Sequence, residues 1–438
     1  MRIYTGVLEF GFVIATSNNS RPARSEMEKT LPKFSKRELL VQSGNVVAAR
    51  ELGSEKGRSR PVSWEATSRL RSMNGLMSKG PRLVILGLVG GSVLAACSSS
   101  SANVSATATT ASAAASTTEA ASSASVPLVV YAAEGYDQAE VKAFQAATGI
   151  QTKLVDHSTG TLLAKIQAEG NHPQWGILWT DGDAAYAALD QEHMLVQGFE
   201  PTSGTLTSLG EKLVPKDKSY IPTGLTMAGA VIYNSQTVTQ PPASWTDLTS
   251  PQWKGAVGMN NPAVSGPTYN VVAGIMQQLG GVAQGEQFFT KLASNGLHVF
   301  TTNKVTLTAL LEGQIKLAIV QNSAGIGFEY KYPQLKVAYP TSVTDLPSVI
   351  GIDAKVSKTE QAEAERFANF VYSPQGQQVM LSGDPHGDSL FFPIVNGTAQ
   401  HKLVPPLSSI PVQFIDPYVW GPRESSINQW FTANVVNG

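Results

Sequence analysis

Leu128-Val129-Val130-Tyr131 is an unbroken apolar run, the pattern of a strand covered on both faces. In the next stretch, DQAEVKAFQAATG, the period changes to that of a helix. Val141 and Phe144 share a face, Asp137 with Glu140 resembles a capping box, and Gly149 supplies a stop. The spacing then predicts a strand over 150–155, a helix over 162–168 and a strand over 177–179. Strands are expected again at 228–233, 256–259, 315–320 and 335–338, with helices at 269–279, 285–294 and 305–311. Near the end a helix over 359–372 carries Phe367, Phe370 and Val371 on one stripe. Ser373-Pro374 then opens another helix that runs to about 381. Strands that alternate with helices predict a parallel α/β sheet. No composition break divides this stretch into sequential halves, although its length predicts two lobes.

The segments before residue 126 follow a different pattern. LVILGLVGGSVLAAC, residues 83–97, is an apolar run behind Lys79 and Arg82 that closes on small residues. This is the layout of a secretory signal. Its 14 apolar or small residues before the cysteine fall short of the roughly 20 a spanning helix needs. Leu94-Ala95-Ala96-Cys97 resembles a bacterial lipobox, which implies a lipid on Cys97 and a signal peptide over 77–96. The 76 residues ahead of Met77 hold 13 Lys+Arg against 7 Glu and no Asp. They read as an extended start or a disordered leader, outside the fold. After Cys97, 25 of the residues 98–125 are Ser, Thr or Ala. Such a stretch cannot bury enough apolar surface to offset its ordering entropy, so 97–125 reads as a lipidated cysteine and flexible tether.

Charge changes the picture once the leader is set aside. Residues 97–438 carry 17 Lys+Arg against 26 Asp+Glu, and no basic cluster supports a nucleic-acid partner. Cys97 is the only cysteine, which excludes disulfides and thiolate metal sites from the globular part.

Candidate chemistry is sparse. Asp181 and Asp183 in WTDGD follow a predicted strand end, where open α/β sheets place ligands. As a pair they suit acid–base work in a secreted hydrolase or the binding of a cation or ammonium; a solvated turn with Asp183 capping a helix is the plain alternative. Ser265-Gly266 precedes a predicted helix, where a hydroxyl and free N–H groups suit an anion, or where Ser265 is an ordinary cap. The six histidines show no metal-ligand spacing, and no phosphate-binding P-loop occurs. GDPHGD, residues 383–388, reads as a rigid turn, since the rest of a calcium loop is missing.

Four segments carry a family resemblance: LVVYAAEGYDQAEVKAFQAATGI, IPTGLTMAGAVIYN, SWTDLTSPQWKG and FVYSPQGQQVML. In order and spacing, over residues 126–395, the chain resembles substrate-binding proteins of bacterial ABC importers, in the branch of ferric-ion and 2-aminoethylphosphonate binders. The resemblance implies an α/β, two-lobe periplasmic-binding-protein fold of type II, with a central cleft and discontinuous lobes. One lobe is expected from 126–225 plus about 340–390, the other from 226–339 plus about 391–438. It places ligand contacts at Gly135, Tyr136, Asp181, Thr223, Gly224, Ser265, Gly266, Tyr269, Asn303, Gln321, Asn322 and Ser323. Permease and ATPase subunits are the implied partners, with no cofactor and no catalysis. The implied location is the outer face of the cell membrane, through lipid at Cys97, or the periplasm.

The departures bear on the ligand. Ferric-binding relatives place a histidine after the first strand and a tyrosine pair in the second lobe. The matching positions here hold Gly135, Ser323 and Ala324. Asp181 alone is left as a hard-metal ligand, for the alternative that iron or an iron chelate is the cargo. The expectation is therefore a small, phosphonate-like anion, with any cationic end facing Asp181.

Overall fold

The computed structural model describes residues 127–438. The leader, the signal segment, Cys97 and the tether through residue 126 lie outside the described residues. The strands are β1 (Leu128–Ala132), β2 (Thr152–Asp156), β3 (Ile177–Asp181), β4 (Tyr220–Ala228), β5 (Ala230–Asn234) and β6 (Val257–Asn260). They continue with β7 (His298–Phe300), β8 (Leu317–Val320), β9 (Leu335–Ala338), β10 (Val343–Ile352) and β11 (Val412–Gln413). The helices in the first half are α1 (Asp137–Thr148), α2 (Thr159–Glu169), α3 (Ala184–Gln191), α4 (Ser208–Glu211), α5 (Gly266–Gln278) and α6 (Val282–Ser294). After them come α7 (Asn303–Leu311), α8 (Asn322–Lys331), α9 (Lys358–Tyr372), α10 (Pro374–Gly383), α11 (Pro417–Trp420) and α12 (Glu424–Phe431).

Two sheets result. The first runs β11-β10-β3-β1-β2, with β4 on the other side of β10, and the second runs β7-β6-β8-β5-β9. β1 pairs in parallel with β2 and β3, while β10 runs antiparallel to β3 and β4. Alternate residues of β1 feed opposite faces. Val130 and Ala132 pack with Phe144 and Phe367, whereas Tyr131 packs with Trp175 and Leu178. Each such aromatic, fully buried, contributes about 1.5–3 kcal/mol.

β4 and β10 are buried along their whole lengths and hydrogen-bond to one another; the chain passes through them between the sheets. Neither β10 nor β4 shows in the hydrophobic period: the strand expected over 228–233 is β5 and touches β4 only at Ala228. Burial on all sides erases alternation, and Pro222, Gly224 and Pro347 disguise both as loops. The segment after 391 serves both sheets: β11 joins the first, while Phe431 packs edge-on against Phe289 of α6.

The capping box expected at Asp137 and Glu140 is not formed. Tyr136 caps α1 without a side-chain bond, and both Glu140 carboxylate oxygens are buried without partners.

Candidate functional site

The polar residues of the first sheet converge where β1, β3 and β10 meet. The register sets Ser348 of β10 opposite Asp181 on one side and Gly224 on the other, with a bulge just after it. Ser348 donates to Glu134 Oε1 at 2.7 Å and accepts from Trp179 Nε1 at 3.0 Å. Thr223 Oγ1 and the Tyr136 hydroxyl reach the same serine at 3.1 and 3.3 Å. Thr223 and Tyr136 thus build the floor. Gly224 lies against the Phe391 ring.

Above this floor stand three carboxylates. Glu134, just past β1, is 4 % exposed, and its Oε2 is buried without a partner. Asp181 ends β3 and is 5 % exposed. Asp388, half-buried, comes from the turn after α10 and accepts from the Gly135 N–H at 2.8 Å. Gly135 is needed there, because a Cβ would collide with Asp384, whose Oδ2 takes the Asp388 N–H at 2.8 Å. GDPHGD is thus a turn held by its own aspartates.

Burial pushes the Glu134 and Asp181 carboxyls well above the ordinary carboxylate range, and repulsion within the group adds to it. Asp388 is pushed up to about 6, first by burial and then by Asp384. No basic side chain among the described residues offsets these charges. Among the described residues the ion pairs are Lys165–Glu169, Lys218–Glu200 and Lys336–Glu329, all elsewhere. Nor do any three His, Cys, Asp or Glu among the described residues stand close enough together to hold a metal ion.

The second sheet answers with neutral donors. Gln321, which caps α8, sends its Nε2 to Asp181 Oδ2 at 2.8 Å and to Thr226 Oγ1 at 3.2 Å. It also reaches Asp388 Oδ1 at 3.5 Å, as does Ser323 Oγ. Asn322 does not face the carboxylates with its oxygen, which accepts from the Met227 N–H at 2.8 Å where β4 leaves for the second sheet. The start of α5 lies close by, since Gly182, next after Asp181, packs on Asn270. There Ser265 Oγ accepts from Thr268 Oγ1 at 3.0 Å, and Pro267 removes one of the helix's free N–H groups. Gly266 packs on Thr159 of α2, and the Gly160 N–H donates to the Val264 carbonyl at 3.1 Å, a second link between the lobes. Asn303 pairs with the Asn260 amide at 2.7 Å. The Tyr269 hydroxyl is engaged elsewhere, donating to the Trp420 carbonyl at 2.6 Å.

Two expectations change. Asp181 and Asp183 do not form the pair that a hydrolase needs. The turn at Gly182, φ 95°, sends Asp183 away toward Asp345 and Asp416, whereas Asp181 faces Glu134 and Asp388. Asp181 is also not the lone carboxylate of the site. Glu134 and Asp388 stand beside it, 254 residues apart in sequence, and the only local signal for either was its place in AAEG or GDPHGD.

The sequence model described as "Bacterial extracellular solute-binding protein" matches residues 139–401. The putative 2-aminoethylphosphonate-binding periplasmic protein of Salmonella typhimurium is 24% identical over 264 residues, covering 57% of this chain and 75% of that protein. The major ferric iron-binding protein of Neisseria meningitidis serogroup B is 24% identical over 253 residues, 56% of this chain and 75% of its own length. Among solved structures, periplasmic binding protein AfuA from Actinobacillus pleuropneumoniae, with fructose-6-phosphate bound, superposes with a TM-score of 0.61 at 18% identity. That match covers 71% of this chain and 99% of AfuA. Iron-bound HitA from Pseudomonas aeruginosa gives 0.60 at 22% identity, covering 70% and 99%.

Proposed function

The chain belongs to the bacterial extracellular solute-binding proteins, the periplasmic receptors of ABC importers, and we propose that its cargo is a small zwitterion, a phosphonate-like acid carrying an ammonium group. The observation that carries this reading is the trio of the buried Glu134 and Asp181 with the half-buried Asp388, in which Glu134 Oε2 is unpartnered and no basic side chain among the described residues pairs with any of the three. Two unit charges of one sign at about 4 Å repel by about 4 kcal/mol at an effective dielectric near 20. A ligand ammonium turns that repulsion into attraction. The acidic end then lies toward Ser265, Gly266 and Asn303, where the donors are neutral and α5 and α7 begin. The 2-aminoethylphosphonate in the name of the Salmonella relative has this chemistry.

Lobe closure brings the walls together, with Gln321 spanning them, and no catalytic step is involved. On this reading 126–225 with about 340–390 and 226–339 with about 391–438 form the two lobes, and lipid on Cys97 tethers the receptor at the outer face of the cell membrane near its permease and ATPase. Recovery of a Cys97→Ser chain in the membrane fraction would contradict the tether.

A second reading is iron or an iron chelate: ferric iron prefers anionic oxygen, which these carboxylates offer, but they do not form a three-ligand group among the described residues. Calorimetry separates the two. The zwitterion reading expects a saturating isotherm with 2-aminoethylphosphonate and none of comparable affinity with ferric citrate. Tighter ferric citrate binding overturns it.

A further inference from the structure

Asp183 is not used by the cleft, and the space it faces is a cavity of about 530 Å³ on the other side of the Gly182 turn. Its floor holds two carboxylates. Asp183, 3 % exposed, has a buried Oδ1 without a partner. Asp345 on β10, 2 % exposed, accepts from the Ile415 N–H at 3.1 Å. The walls are aromatic and aliphatic, with Tyr220 at the start of β4 and Phe414, Ile415 and Tyr418 from the C-terminal segment. At the mouth two lysines, Lys212 and Lys216, meet two aspartates, Asp217 and Asp416, so the rim is balanced and the two floor acids have no basic lining residue left to pair with them.

The Asp183 carboxyl is held up to about 7 by burial, with Asp416 adding to it, and the Asp345 carboxyl stands well above its ordinary range, through burial and then Asp183. A directly bound metal does not fit, because these acids do not form a three-ligand group among the described residues. What fits is an apolar body with one cationic head: the volume lies in the range of small-molecule sites, and aromatic walls attract a cation as well as an apolar body.

We propose that this cavity is a second solute site, separate from the cleft, that takes the ammonium of a compact aromatic or aliphatic amine between Asp183 and Asp345. Its floor joins the start of α3 to β10, a strand through which the lobes are connected, and its outer wall is the C-terminal segment. An amine held there ties these three parts together and biases the lobe equilibrium.

The test is calorimetry on the full chain with phenethylamine, and with 2-phenylethanol as the neutral control. The expected result is one saturable phenethylamine site that persists in a Glu134→Gln/Asp181→Asn double variant. It should weaken at least tenfold in Asp345→Asn and in Asp183→Asn, and severalfold in the wall variant Phe414→Ala, whose side chain is half-exposed. Phenylethanol should not saturate it, and calcium chloride should not compete. The proposal is overturned if phenethylamine does not saturate, if its binding disappears with the cleft variant and survives Asp183→Asn and Phe414→Ala, or if calcium displaces it.

Discussion

The two walls of the cleft treat their polar groups in opposite ways. On the second-lobe wall, hydroxyls and amides satisfy one another: Thr268 with Ser265, Asn260 with Asn303, Asn322 with the Met227 N–H. On the first-lobe wall, Glu134, Asp181 and Asp388 are all acceptors and cannot pair among themselves while ionised. Apart from the buried Asn322 Nδ2, which has no partner, the wall of neutral donors is satisfied without a ligand, whereas a wall of carboxylates needs a positive group from outside. Affinity and selectivity should therefore come mainly from the acidic wall, and the neutral wall should add orientation.

The largest effect should follow from discharging the acidic wall. Glu134→Gln with Asp181→Asn is expected to weaken 2-aminoethylphosphonate at least a hundredfold, since each lost charge-assisted bond costs about 1.5–3 kcal/mol. The same variant should melt higher without ligand, because buried like charges are gone. Calorimetry and thermal melts check both signs, and unchanged affinity would break the contrast between the walls.

Next in size is the bridge. Gln321→Ala removes the amide that links Asp181 and Asp388 to the second lobe. About tenfold weaker binding is expected, with a larger radius of gyration by small-angle scattering in the ligand-free state. An unchanged scattering profile would mean that Gln321 does not hold the lobes.

A smaller effect concerns pH. Asp137 and Asp183 are raised to about 7 and Asp388 to about 6, each chiefly by burial. In the unfolded chain these groups lose their protons near pH 4. Between pH 4 and 7 the folded protein therefore holds more protons than the unfolded one, and stability falls as pH rises through that window. Asp190, Asp247 and Glu169 are shifted the other way and matter only below about pH 4. Melting of the ligand-free protein should be higher at pH 5 than at pH 8, and a saturating ammonium ligand should shrink that difference. A midpoint that rises with pH would contradict the unpaired state of these acids.

The smallest effect should come from the neutral wall. Ser265→Ala leaves Thr268 able to turn to water or ligand, so a loss of roughly two- to tenfold is expected, the worth of one neutral hydrogen bond. A hundredfold loss in the same calorimetric titration would reverse the ranking of the walls.

Much of this fold could be read from hydrophobic period alone, because α1, α9 and α10 are bounded by real stops such as Gly149 and Ser373-Pro374. The strands that join the lobes were not legible, since full burial of β4 and β10 leaves no alternation to detect. At the site, Asp181 was visible at a strand end and Ser265-Gly266 at a helix start. Glu134 and Asp388 were not, for their meaning arises only when the turn after α10 docks on Gly135. Pairwise geometry also separated Asp181 from Asp183, which sequence had set side by side.

The central claim is that the acidic wall selects for a cationic end. Its most direct test is the ratio of dissociation constants for ethylphosphonate and 2-aminoethylphosphonate at pH 7.5, measured for the natural chain and for Glu134→Gln. The ratio should exceed about a hundred in the natural chain, the worth of a buried charge-assisted contact, and fall at least tenfold in the variant. Equal affinity for the two phosphonates, or a ratio that Glu134→Gln leaves unchanged, would contradict it.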